Sequence, residues 1–182
     1  MTRIIAVSDT HLEGTEAMPS GLPELLKGAD IILHAGDFVS PEAYRAFEEM
    51  GRLEAVCGNA DSPKLKGFLP ERRTIEVEGI RIGLVHMASH SFNLTGAEMM
   101  AREMDVQVLI FGHIHRPVVE RGKRLLVCPG SPTLPRQSAP SVAELVVKDG
   151  HISGKIIPLG KPICNYLRYA ESLAEKSERK KD

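Results

Sequence analysis

At 182 residues the chain has the length of a single domain that can bury a substantial core. Hydrophobic residues make up 42% and charged residues 26%, an ordinary composition for a water-soluble fold. The formal net charge of -1 excludes strong whole-molecule attraction to nucleic acid or an acidic membrane.

Arg3 to Ser8 reads as a buried strand, short and rich in Ile and Val. Leu22 to Lys27 follows as a short helix with Pro23 in its first turn, and Asp30 to Ala35 as a second strand. Ser40-Pro41-Glu42 combines a cap, a first-turn proline and a dipole-matched acid, so a helix is expected from there to Gly51. Leu53 to Cys57 is a third strand. Arg73 to Val77 and Ile80 to Val85 flank Glu78-Gly79 as a hairpin. Thr95-Gly96-Ala97-Glu98 has the form of a capping box and opens a helix to about Met104. Val106 to Phe111, Leu125 to Val127, Val142 to Val147 and His151 to Ile157 are further strands. From Tyr166 a helix decays into a charged tail, giving one domain over 1–165 and a helical tail over 166–182. Strand-helix alternation followed by a β-rich half favours an α/β sandwich with mixed sheets.

Four apolar residues, Ile4 to Val7, are too few for a signal-peptide core, and no run reaches the length of a membrane span. The three cysteines, Cys57, Cys128 and Cys164, form no Cys-x-x-Cys pair and read as small packed residues in a reducing, cytoplasmic protein.

Five of the strands end in groups that bind metals. Asp9 and His11 follow the first, Asp37 the second, Asn59 the third, His86 the fifth, and His113 and His115 the sixth. Ligand sites of open α/β sheets lie outside the carboxyl ends of their strands, so these loops are placed to converge. Singly, Asp-x-His, Gly-Asp and Gly-Asn are ordinary turns; the ordered set is what points to chemistry. Two carboxylates, an amide and four imidazoles suit borderline divalent ions, with Mn first and Fe, Ni, Zn or Co as alternatives, better than Ca or Mg. Two such ions clamp the attacking and leaving oxygens of a phosphoryl displacement.

The ordered motifs Asp9-x-His11, Gly36-Asp37, Gly58-Asn59, His86 and Gly112-x-His115 resemble the calcineurin-like metallophosphoesterase superfamily. Gly58 to Asp61 and Pro129-Gly130-Ser131-Pro132 are similar to its small bacterial and archaeal phosphodiesterase branch. The resemblance implies a four-layer α/β/β/α sandwich and hydrolysis of phosphodiesters by a metal-bridging hydroxide. It also implies that Asp9, His11, Asp37 and His115 hold one ion, and Asp37, Asn59, His86 and His113 the other.

Three positions depart from the wider pattern. Ala60 stands where many members have a proton-donating His, which disfavours poor leaving groups. Asp61 and His90 are the candidate substitute donors. Met87 replaces a usual Gly and reshapes the rim of the site, and Cys128 replaces a usual Asn. Arg116 and Arg136 are candidate phosphate contacts, and His34 reads as a packed histidine. A small phosphodiester is the expected partner, with a homo-oligomer left open. Rival readings are a phosphomonoesterase or nucleotidase, a non-catalytic interaction module of the same fold, and a nuclease. The nuclease ranks last because no basic stripe with interleaved aromatics is present.

Overall fold

The computed structural model describes residues 1–13, 18–89 and 93–162. The expected helix from Tyr166, the charged tail, Cys164 and His90 lie outside the described residues. In chain order the elements are β1 Thr2–Val7, α1 Leu22–Lys27, β2 Ile31–His34, α2 Pro41–Glu48, β3 Leu53–Ala55, α3 Pro63–Lys66 and β4 Arg72–Val77. They continue with β5 Ile80–Val85, α4 Thr95–Glu103, β6 Val108–Phe111, β7 Pro117–Arg121, β8 Leu125–Pro129, β9 Ser141–Lys148 and β10 His151–Pro158.

The strands form two five-stranded sheets, ordered β10-β9-β1-β2-β3 and β4-β5-β6-β8-β7. The first is antiparallel over β10-β9-β1 and parallel over β1-β2-β3, and the second has a parallel centre, β5-β6-β8, with an antiparallel pair at each margin, so both are mixed. Alternation along the strands sets the layers. Ile4 and Ala6 of β1 and Leu33 of β2 face Ile82, Leu84, Val108 and Ile110 of the second sheet in the central core. Ile5, Val7 and Ile32 point the other way and pack under Leu22, Leu26, Phe47 and Leu65 of α1, α2 and α3. Leu109 and Phe111 do the same beneath Ala97 and Ala101 of α4. The result is the expected four-layer α/β/β/α sandwich. No helix among the described residues is long and apolar enough to cross a membrane.

Local signals fared unequally. Ser40 caps α2 as expected, its Oγ accepting the Ala43 N–H at 3.0 Å. The capping box at Thr95 does not form. Asn93 Oδ1 accepts the Thr95 N–H at 3.0 Å instead, and the Glu98 carboxylate is drawn 3.1 Å from Arg124. Two elements were not anticipated. α3 is a single turn whose Ser62-Pro63 start was there to be read. β7 opens on Pro117 at the sheet edge, where a missing N–H costs no ladder bond.

Candidate metal centre

The parallel strands finish level with one another. Val7 pairs with His34, His34 with Ala55, and Val85 with Phe111, so the loops that follow leave from one edge of the sandwich. They stay hydrogen-bonded beyond the sheets: Asp9 N–H to Gly36 O and His11 N–H to Asp37 O, each at 3.0 Å, and Gly112 N–H to His86 O at 2.9 Å.

Five candidate ligands have left-handed backbones: Asp9 (φ 54°), His11 (44°), Asp37 (62°), His113 (73°) and His115 (56°). Each costs about 1–2 kcal/mol in a residue with a Cβ. Such strain persists only where the surroundings impose it, and it concentrates at functional sites. Here the impositions are visible. The His113 N–H donates to both oxygens of Asp9, at 3.0 and 3.1 Å, and the His11 N–H is tied to Asp37 O.

The side chains form a continuous arc. His115 Nε2 lies 3.3 Å from Asp9 Oδ1. His11 Nε2 lies 3.5 Å from Asp37 Oδ2, and His86 Nε2 lies 3.3 Å from that same oxygen. His86 Nε2 and His113 Nδ1 are each 3.0 Å from Asn59 Oδ1. All seven candidate ligands thus meet. Donor atoms of Asp9, His11 and His115 lie within 4.8 Å of one another, as do those of Asp9, Asp37 and His86. Asp9 is common to both groups, while Asp37 Oδ2 stands between a histidine of each.

This donor set fits divalent cations. His86 Nδ1 donates to the Ala35 carbonyl at 2.8 Å, and His115 Nδ1 to the Leu134 carbonyl at 2.7 Å. In the neutral rings Nε2 is then a bare lone pair, and it faces the oxygens of Asp37 and Asn59 in one case and of Asp9 in the other. His11 Nε2 is buried with no hydrogen-bond partner. Lone pair against lone pair is unfavourable without a positive charge between them. The titration directions reflect the same demand. Burial works against a charge on His86, but the hydrogen bond and charge of Asp37 prevail and raise its pKa. Burial would lift the Asp37 carboxyl, yet His86 and the Ala60 N–H hold it below the usual carboxylate range. Burial pushes Asp9 up, partly offset by the charges of His86 and His115, and pushes His11 down.

The supports of the arc were less legible. A Cβ on Gly58 would lie 2.1 Å from Asp37 Oδ1, and one on Gly36 would lie 2.9 Å from His86 Nδ1, so both positions require glycine. Asp61 is buried and accepts three backbone N–H groups: Gly58 at 2.7 Å and Asp37 at 3.2 Å on Oδ2, and Val39 at 2.7 Å on Oδ1. It joins the Asp37 loop to the Asn59 loop. Both of its oxygens are thus spent on backbone N–H groups. His34 is fully buried and stacked on Phe38 with centroids 3.5 Å apart. Its Nδ1 accepts the Gly36 N–H at 3.2 Å, leaving Nε2–H for Thr10 Oγ1 at 3.1 Å; Thr10 in turn donates to Asp37 O at 3.3 Å.

A family model, the Calcineurin-like phosphoesterase superfamily domain, matches residues 2–150. The chain belongs to this superfamily. A probable metallophosphoesterase of Methanothermobacter thermautotrophicus is 34% identical over 167 residues, 90% of this chain and 96% of that relative. Among solved structures, an archaeal phosphodiesterase aligns with a TM-score of 0.64 at 22% identity, over 85% of this chain and 99% of the other. A zinc-complexed Vps29 of Entamoeba histolytica aligns with a TM-score of 0.68 at 21% identity, over 87% and 99%. At that identity the likeness is one of fold.

The positions where this superfamily member departs from the common pattern are placed as follows. Ala60 presents only a backbone N–H, which donates to Asp37 Oδ1 at 2.7 Å. Met87 is exposed on the rim. Cys128 is fully buried in the layer under α4, its thiol pushed up by burial. The Pro129 to Pro132 loop is anchored by serines instead: Ser141 Oγ to Pro129 O at 2.8 Å, Ser8 Oγ to Gly130 O at 2.9 Å and Ser131 Oγ to Asp9 O at 2.7 Å. Arg116 directly follows His115 and is half-buried, and exposed Arg136 donates its N–H to His115 O at 2.9 Å. Both arginines therefore leave the chain beside the arc.

Proposed function

We propose that the chain is a dinuclear metal-dependent phosphodiesterase. Asp37 Oδ2 supports the reading: it lies between His11 Nε2 and His86 Nε2, where one carboxylate would serve two cations. Asp9, His11, Asp37 and His115 would hold one ion, and Asp37, Asn59, His86 and His113 the other, with Mn first and Fe, Ni, Zn or Co as alternatives. Such a pair, when bound, supplies Lewis acidity toward the phosphoryl oxygens and lowers the proton affinity of water.

The chain's own groups do the rest. The carbonyls of Ala35 and Leu134 fix His86 and His115 in the tautomer that presents Nε2. Asp61 spends its oxygens on backbone N–H groups and acts by position, not as an acid. Arg116 and Arg136 are assigned to the phosphate oxygens. With Ala60 in place of a histidine, no imidazole protonates the leaving oxygen there. Diesters of acidic alcohols are therefore preferred to monoesters, and a small cytoplasmic phosphodiester is the substrate class.

The test is hydrolysis of bis(4-nitrophenyl) phosphate across a panel of divalent metals. Turnover is expected with Mn²⁺ or a similar ion, and its absence across the panel would overturn the reading. The zinc-complexed Vps29 neighbour favours a second reading, a metal-bound interaction module. That reading gives metal uptake without turnover, so the same assay separates the two.

A further inference from the structure

A groove of about 450 Å³ opens at the candidate centre, with Asn59 and His86 in its lining. Its lining includes Val85, Met87 and Met100 together with Lys66, Glu71 and Arg72. Arg72 is neutralised by Glu103 at 2.6 Å. Lys66 is not: its Nζ donates to the Asn59 carbonyl at 2.6 Å, and no carboxylate among the described residues pairs with it. Among the described residues the groove thus offers two polarisable thioethers, one cation without a carboxylate contact, Lys66, and one carboxylate without a cation contact, Glu71, continuous with two candidate ligands. Its volume matches small-molecule sites, and thioethers pack well on aromatic rings.

We infer that this groove holds the non-leaving arm of the phosphodiester, and that the arm is a flat apolar group with a hydrogen-bond-acceptor edge. Met87 and Met100 cover the face of the arm, and Lys66 receives its edge. Esters whose second arm is only a methyl group leave the groove unfilled. Met87, at the position where the family usually has glycine, is thereby a specificity residue. The inference rests on the phosphodiesterase reading and adds a substrate class to it.

The test compares kcat/KM for bis(4-nitrophenyl) phosphate and methyl 4-nitrophenyl phosphate, which share a leaving group and differ in the other arm. It uses the full Mn-loaded chain. Met87→Ala is expected to lower the aryl-to-methyl ratio about tenfold, through KM, since one apolar contact commonly gives that discrimination, and Lys66→Glu is expected to lower it as well, by setting a carboxylate against the acceptor edge. Met99→Ala, exposed on α4 and away from the groove, keeps the wild-type ratio. Turnover of both esters with an unchanged ratio in both groove variants overturns this inference alone. No turnover of either ester by the wild type overturns the phosphodiesterase reading and this inference with it.

Discussion

Asp61 Oδ1 accepts the N–H of Val39 at 2.7 Å, and Val39 is held at φ 84°, a left-handed conformation that a β-branched residue rarely adopts. The same carboxylate anchors the Asp37 and Gly58 amides, so one buried acid fixes the chain on both sides of the candidate centre. Removing it leaves three N–H groups without an acceptor. Asp61→Ala is expected to lower stability by about 3 kcal/mol, read from the urea midpoint of the metal-free protein. A change within about 0.5 kcal/mol, the range of neutral surface substitutions, would mean that Asp61 does not hold these loops.

Gly58 acts sterically. The Cβ of an alanine would displace Asp37 Oδ1, the only alternative being retreat of the Asn59 loop. Gly58→Ala should therefore cost diesterase activity about 100-fold, as displacement of a positioned group by an ångström commonly does. Kinetics and a metal titration on the same sample check this, and wild-type values in both would refute it.

The candidate site was more legible than its supports. Each ligand follows a short Ile- and Val-rich strand, and because parallel strands end level, chain order alone brought Asp9, Asp37, Asn59, His86 and His113 toward one edge. Periodicity placed most strands for the same reason. Asp61 was visible as an acid near Asn59, but its partners are backbone amides, which carry no residue-type signal. The left-handed turns at His11 and His115 were equally silent, because nothing glycine-like marks them. Thr95 shows the limit of a local motif. Its capping box met every sequence criterion, but Asn93 was closer to the free N–H and Arg124 claimed Glu98. β7 was missed because Pro117 and the Glu120-Arg121 pair argue against a strand until an edge position is known.

On the proposed function, Ala60 bears on the leaving group. The N–H it contributes is already committed to Asp37. Among aryl diesters, kcat/KM should fall steeply as the leaving phenol becomes more basic, and Ala60→His should flatten that slope. General acid assistance is commonly worth about 10²–10⁴-fold for poor leaving groups. A shallow slope in the wild-type protein would place an acid elsewhere.

His34 ties stability to pH. Burial holds its pKa well below 6.5, so between these values the unfolded chain binds a proton that the folded chain does not. Stability therefore rises with pH across that window, and the His34 contribution is complete above it and lost as pH falls through it. In the metal-free protein, His34→Gln should reduce the slope of unfolding free energy by up to about 1.4 kcal/mol per pH unit, measured from roughly pH 6 to 5. Parallel profiles for the two proteins would show that His34 is not held neutral.

On the proposed function, Asp37 serves two cations at once. Its direct test is the metal content per chain of wild-type protein and of Asp37→Ala after reconstitution with Mn²⁺, measured by mass spectrometry on gel-filtered samples. Two ions are expected in the wild type and none in the variant, with the fold intact by circular dichroism. A single ion in the wild type, or two retained in Asp37→Ala, would contradict that role.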